Sequence, residues 1–220
     1  MKNNKTLASL CLYAALTFGF PVVSQATHQD AKWNPKTWVK KDKEALPTGF
    51  EAEKGEPVGG KAGEEIKTFM LNQAQKMQKI KGSLVSTLRN GEVLKVSIPS
   101  ASLFLPDETY LLPNPDPELG PVLTLMREGL TRLLVTGHTA DNGSESYLEN
   151  ISRERAQAVL DWYKKQGIPE KSMSLYAFGS KQPLFDNDSM ENRSKNRRIT
   201  LYLVPNDDMV KKAKRKRLNK

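Results

Sequence analysis

The sequence predicts an α/β domain in which helices pack on one mixed sheet, and three observations predict it. Apolar residues recur at helical spacing in some segments and alternate or cluster as β-branched runs in others, and the two kinds of segment take turns along the chain. Asn90-Gly91 joins two alternating runs, and this dipeptide suits a two-residue type I′ hairpin because both positions need positive φ. A branched apolar strand, a polar glycine-containing loop and a long amphipathic helix then follow one another between Leu130 and Gln166.

Each element has its own signal. Ile66, Met70, Ala74 and Met77 form one apolar stripe, so Glu64 to Lys79 reads as a helix, and residues 64–82 lead into a domain spanning 83–205. A methionine-bearing stripe of this kind is core packing rather than a cofactor site. Ser83 to Leu88 and Val93 to Ile98 are the hairpin strands. Pro117 to Glu128 is expected as a helix and Leu130 to Thr136 as a strand. Ser152 to Gln166 is the clearest helix, with Ser152 as a plausible N-cap. Ala156, Val159, Leu160 and Tyr163 form its apolar face, and Gly167 and Pro169 mark its end. Ser172 to Phe178 is a strand, Ser189 to Arg197 a short helix or loop, and Arg198 to Val204 the last strand.

The flanks differ from this core. Lys2 and Lys5 precede an apolar run from Leu7 to Phe20, Pro21 breaks it, and Ser24-Gln25-Ala26 places small residues at a cleavage site. Residues 1–26 therefore read as a secretory signal, with an uncleaved membrane anchor as the alternative. The single cysteine, Cys11, lies inside the apolar run, preceded by bulky Leu10, which disfavours lipidation there. With the signal removed no thiol remains for disulfides or catalysis. Residues 27–63 carry Trp33 and Trp38 among Lys, Glu, Gly and Pro, without apolar period, and read as an extended linker or arm. Residues 206–220 hold Lys211, Lys212, Lys214, Arg215, Lys216, Arg217 and Lys220 and read as a basic disordered tail, either solubilising or attaching to an anionic wall or lipid.

The net charge of +9 points to polyanionic partners. Export makes nucleic acid an improbable one and leaves the cell wall and acidic lipid. His138 is the only histidine of the folded region, no His/Cys/Asp cluster has metal-ligand spacing, and no nucleophile stands in a triad arrangement. Catalysis, a metal and a cofactor are not expected. The chemistry concentrates in Gly137-His138-Thr139-Ala140-Asp141-Asn142-Gly143, then Ile151-Ser152-Arg153-Glu154-Arg155-Ala156, then Asn196-Arg197-Arg198-Ile199. If the helix starts near Ser152, Arg155 lies in its first turn, beside unpaired N–H groups. That combination favours a carboxylate, and a loop carboxylate would hold an ammonium on the same ligand.

In this order and spacing the three motifs resemble the OmpA/MotB/Pal C-terminal module, over roughly Ser83 to Val204. The stretch Ile98 to Leu105, with Phe104, resembles the end of that family's first strand and the loop after it. The resemblance implies an OmpA-like βαβαββ-type sandwich that binds peptidoglycan non-covalently through the diaminopimelate of the stem peptide. The ligand contacts would come from Asp141, Arg155, Arg197, Thr139 and Asn196, and His138 would play a structural part at the strand end. One departure matters: counting back from Arg155, the family's Asp falls on Ala140, with Asp141 one residue later, and its usual Asn falls on Leu148. The resemblance places the protein in the periplasm, with outer-membrane association as an option, and lets the N-terminal arm meet another envelope protein. Two other readings stay open. One is a degenerate OmpA-like scaffold for protein contacts in a secretion, motility or gliding complex. The other is a stator-like protein that keeps its N-terminal run as a membrane helix.

Overall fold

The computed structural model of the 220-residue chain describes residues 49–219, all within a compact unit that spans Glu44–Lys220. The expected signal over 1–26 and the arm up to residue 48 lie outside the described residues. The elements are α1 (Gly49–Lys54), α2 (Gly60–Met77), β1 (Leu84–Leu88), β2 (Val93–Pro99), α3 (Asp116–Arg127), β3 (Thr131–His138), α4 (Glu145–Lys165), β4 (Met173–Gly179), α5 (Met190–Asn196), β5 (Arg198–Pro205) and α6 (Asp207–Lys214). The strands form one mixed sheet in the order β1-β2-β5-β3-β4, antiparallel except for the β3–β4 pair. The parallel pair is the one whose strands are joined by a helix, as a crossover connection requires.

Strand alternation sorts side chains between two faces. Leu94, Val96, Ile98, Leu133, Val135, Ile199, Leu201 and Leu203 point to the main core, where α2, α3, α4 and α6 bury their apolar stripes. The other face carries Val93, Leu134, Tyr202 and Val204, packed with Ala52 of α1. There Glu53 accepts hydrogen bonds from Lys95 Nζ at 2.5 Å and Tyr202 Oη at 2.8 Å. Burial pushes the Glu53 carboxyl up, but those two bonds and the charges of Lys95 and Arg198 outweigh it and hold it below its ordinary value.

Asn90 and Gly91 take the positive φ that the dipeptide predicts, 60° and 93°, and Glu92 N–H donates to Arg89 C=O at 3.1 Å. The loop is longer than the two residues expected: Arg89 also has a φ of 50°, and strand pairing stops at Leu88 and Val93. Helix α2 begins at Gly60 rather than Glu64, inside the stretch expected to be a linker, because Glu92 secures its start. The buried Glu92 carboxylate accepts from Val58 N–H at 2.6 Å and Gly59 N–H at 2.9 Å. A Cβ on Gly63 would come within 2.4 Å of Glu92 Oε1, so the glycine leaves room for the carboxylate in this position at the positive end of the helix.

The tail also departs from expectation. Residues 207–214 form α6 instead of a disordered run. Asn206 caps it by accepting Met209 N–H at 3.0 Å, and Met209 and Ala213 are buried. Two apolar residues four apart suffice to seat a short helix on α2, a signal hidden by the surrounding charge. No helix among the described residues is long and apolar enough to cross a membrane.

Candidate functional site

The three motifs meet where β3, β5 and α4 converge, and each explains part of the local geometry. A Cβ on Gly137 would lie 2.0 Å from the Ser152 carbonyl oxygen, so this glycine is what lets α4 pack directly on β3. Ser152 is not the N-cap. Helix α4 starts seven residues earlier, with Ser144 Oγ accepting Tyr147 N–H, and Ser152 instead joins strand to helix by accepting Gly179 N–H at 3.1 Å. Arg155 is consequently in the helix interior, and the expectation that it works beside free N–H donors is corrected.

Arg155 draws its setting from the loop after β2. That loop is closed by the Phe104–Leu111 bridge and by Leu112 N–H donating to Leu103 C=O at 2.8 Å. Arg155 Nε donates to Glu108 C=O at 2.8 Å, and the guanidinium lies 5.3 Å from the centroid of Phe104. Its terminal nitrogens make no hydrogen bond to described residues. Burial lowers the Arg155 pKa and Arg197 adds to this, while Asp107 and Tyr147 counter it, and a guanidinium stays charged at neutral pH.

The space in front of Arg155 is a cavity of about 80 Å³ lined by Asp107, Thr139, Ala140, Asn142, Tyr147, Leu148, Ile151, Arg155 and Arg197. Of the five residues expected from sequence, the structure brings three together: Arg155, Arg197 and Thr139. Thr139 lines the cavity, and its Oγ1 is buried with no hydrogen-bond partner among the described residues. Asp141 is not on that wall, and its carboxylate accepts from Arg193 Nε at 3.0 Å. Asn196 is fully buried and turned to the 184–187 loop. Its Oδ1 accepts Leu184 and Phe185 N–H, and its Nδ2 donates to Phe185 C=O and Asn187 Oδ1.

The residue that sequence reasoning missed is Asp107, the carboxylate of this cavity. It adopts φ of 57° in the Phe104 loop, far along the chain from the GHT segment. Following the Phe104 resemblance three residues further would have reached it. His138, by contrast, is a structural group. Its ring stacks on Phe178 at 5.1 Å, Nε2 pairs with Thr136 Oγ1 at 2.9 Å, and burial, then the charges of Arg198 and Lys95, hold its pKa well below the ordinary value. Among the described residues no group of histidine, cysteine or carboxylate side chains could hold a metal ion.

Comparison with known proteins agrees with this fold. The OmpA family profile matches residues 103–197, from the Phe104 loop through Arg197. Lipoprotein YfiB of Escherichia coli is 30% identical over 111 residues, 50% of this chain and 69% of that protein. The outer-membrane lipoprotein YfiB of Pseudomonas aeruginosa is 30% identical over 81 residues, but the chain spans only 48% of it. The peptidoglycan-binding protein ArfA of Mycobacterium tuberculosis is 31% identical over 72 residues, 33% of this chain and 22% of ArfA. Two solved structures share the fold. A MotB-like protein from Desulfovibrio vulgaris has a TM-score of 0.56 and 24% identity, covering 65% of this chain and 95% of that one. The cell wall anchor of the T6SS from Pseudomonas aeruginosa has a TM-score of 0.52 and 21% identity, covering 64% and 97%. With the parallel β3–β4 pair, the Gly137–Ser152 contact and the Arg155 cavity all inside the matched span, the chain belongs to the OmpA family.

Proposed function

We propose that this protein is a non-covalent peptidoglycan-binding protein of the bacterial envelope, working from the periplasm and holding the charged end of the stem peptide's diaminopimelate in the Arg155 cavity. The observation that carries the reading is a buried guanidinium with free terminal donors, facing a cavity that Asp107, Arg197 and Thr139 also line. Two cations and one carboxylate suit a zwitterionic amino-acid end. Arg155 takes the carboxylate by charge-assisted bonds, with Arg197 beside it, and Asp107 takes the ammonium. Asp107 thus supplies the acidic partner that Ala140 cannot, and the apolar Ala140, Leu148 and Ile151 pack against the ligand's methylenes. The peptidoglycan-binding relative and the cell-wall anchor of like fold support the same reading.

The test is cosedimentation of the protein with purified sacculi. Arg155→Gln removes the charge but keeps most of the packing, and should weaken binding at least thirtyfold, as expected for roughly 2–3 kcal/mol of charge-assisted hydrogen bonding. Arg197→Gln, on a less buried residue, should weaken it less without affecting folding. Sacculus binding that is absent, or that ignores both substitutions, would sink the proposal and favour the alternative of a protein-contact scaffold in an envelope complex.

A further inference from the structure

The cations of the C-terminal segment are held in fixed places on a folded support. Helix α6 stops in a capped end: Lys216 N–H donates to Ala213 C=O at 2.9 Å and Arg217 N–H to Lys212 C=O at 3.1 Å. Leu218 then packs against the core, and Asn219 Nδ2 donates to the Glu65 backbone oxygen at 3.1 Å and to its side chain at 3.2 Å. Lys211, Lys212, Lys214, Arg215, Lys216 and Arg217 are therefore six exposed cations within seven residues, fixed against α2. Among the described residues only Lys211 has an acidic partner, Asp208 at 3.3 Å. Lys216 holds φ of 52° at the position where helix ends favour glycine. A charged side chain there carries a conformational cost that solubility alone does not call for.

The location is as informative as the charge. Strand β5 starts at Arg198, paired with His138 at the cavity end of the sheet, and finishes at Pro205, paired with Thr131 at the other end. Eight residues of strand separate the two ends by roughly 25 Å. Asn206 bonds Gly129 and Leu130 at the far end, and Asn219 returns to Glu65 near the start of α2, beside the hairpin turn. The basic segment thus leaves from, and comes back to, the pole opposite the Arg155 cavity.

We propose that α6 and the residues after it form a docking platform for a membrane surface rich in anionic phospholipid, so that the protein bridges wall and membrane. The choice of membrane over an anionic wall polymer rests on the peptidoglycan reading of the cavity, because a molecule held to the wall at one pole presents the other pole away from it. Contact is electrostatic: lysine and arginine side chains reach lipid phosphates without burial of an apolar face, so attachment is reversible and weakens with salt.

The test is sedimentation of the full chain with phosphatidylglycerol–phosphatidylcholine vesicles and, separately, with phosphatidylcholine vesicles. The measure is binding in excess of the neutral vesicles, which cancels any contribution of the apolar N-terminal run. The triple variant Lys212→Gln, Arg215→Gln, Arg217→Gln alters exposed side chains only and keeps the capped helix end. Each basic residue near an anionic surface contributes about fivefold, so the variant should lose roughly a hundredfold in excess binding. Equal binding to both vesicle types, or a triple variant that binds like the parent, overturns the platform. So does a triple variant that loses affinity for sacculi instead, which would assign the cations to the wall. Arg155→Gln run in parallel separates the two readings: it should weaken sacculus binding at least thirtyfold and leave vesicle binding intact. Vesicle binding by a parent protein that ignores sacculi would defeat the cavity reading alone.

Discussion

Two arginines buried to nearly the same extent, Arg155 and Arg198, stand on opposite faces of the sheet and have opposite fates. Arg198 donates from Nη1 to Asn196 C=O at 3.1 Å and from Nη2 to Gln182 C=O at 2.9 Å, so both terminal nitrogens are taken by backbone, and only its buried Nε has no partner among the described residues. Burial brings its pKa down to about 10 against the opposing charges of Tyr202 and Glu53. Arg155 commits only Nε, to Glu108, and keeps its terminal nitrogens for the cavity. Burial alone therefore says little about role; whether the terminal nitrogens are left free at a cavity decides it.

The largest effect should separate the pair. Arg198→Leu leaves the Gln182 and Asn196 carbonyls without their donors, and should cost about 3 kcal/mol of stability, read as a lower urea midpoint. Arg155→Gln should cost about 1 kcal/mol in the same assay, since one backbone acceptor is lost, while its sacculus binding collapses. If Arg198→Leu stayed stable and lost binding instead, the two assignments would have to be exchanged.

A smaller effect asks whether the Arg198 face is sealed from water. The His138 imidazole is neutral when folded, because burial first and the Arg198 and Lys95 charges next depress its pKa well below 6.5. An unfolded histidine titrates near its ordinary value, so below about pH 6.5 the unfolded chain takes a proton that the folded one refuses. Stability from this group is full above that pH and falls as pH drops toward the folded value, by up to about 1.4 kcal/mol per unit for one proton. The urea midpoint of the parent should fall between pH 7.5 and 5. His138→Gln, lower at the outset, should fall less. The window lies above 4.5, the ordinary value from which Glu53 is depressed, so that carboxyl does not confuse it. Equal slopes would mean that His138 reaches water and the face is open.

Much of this was legible in the sequence, and the failures share a cause. The strands and the hairpin came from local pattern. The GHT and SxxRA segments do lie together, yet Ser152 and Gly137 are there for each other, as a contact between strand and helix backbones. Ser144 was overlooked as the cap of α4 because Glu145 to Asn150 is mostly polar and hides the first turns of the helix. Asp107 went unseen because its relation to Arg155 is made by folding a loop across 48 residues, which no local spacing encodes. The tail was misjudged because two buried side chains, Met209 and Ala213, decide its state against many exposed charges.

The smallest effect tests that unseen contact. If Asp107 holds the ligand ammonium beside Arg155, Asp107→Asn keeps its shape, removes its charge, and should weaken sacculus binding about fivefold, roughly 1 kcal/mol of one charge-assisted contact. Asp141→Asn removes an exposed pair with Arg193 and should leave both binding and stability within error, as surface ion pairs usually do. The two carboxylates thus repeat on a smaller scale the contrast of the two arginines, one facing the cavity and one already paired at its terminus. Titrating sacculi against both variants side by side measures it directly. A loss confined to Asp141→Asn would return the ammonium contact to the loop after β3, and would require that loop to release Arg193 when the ligand binds.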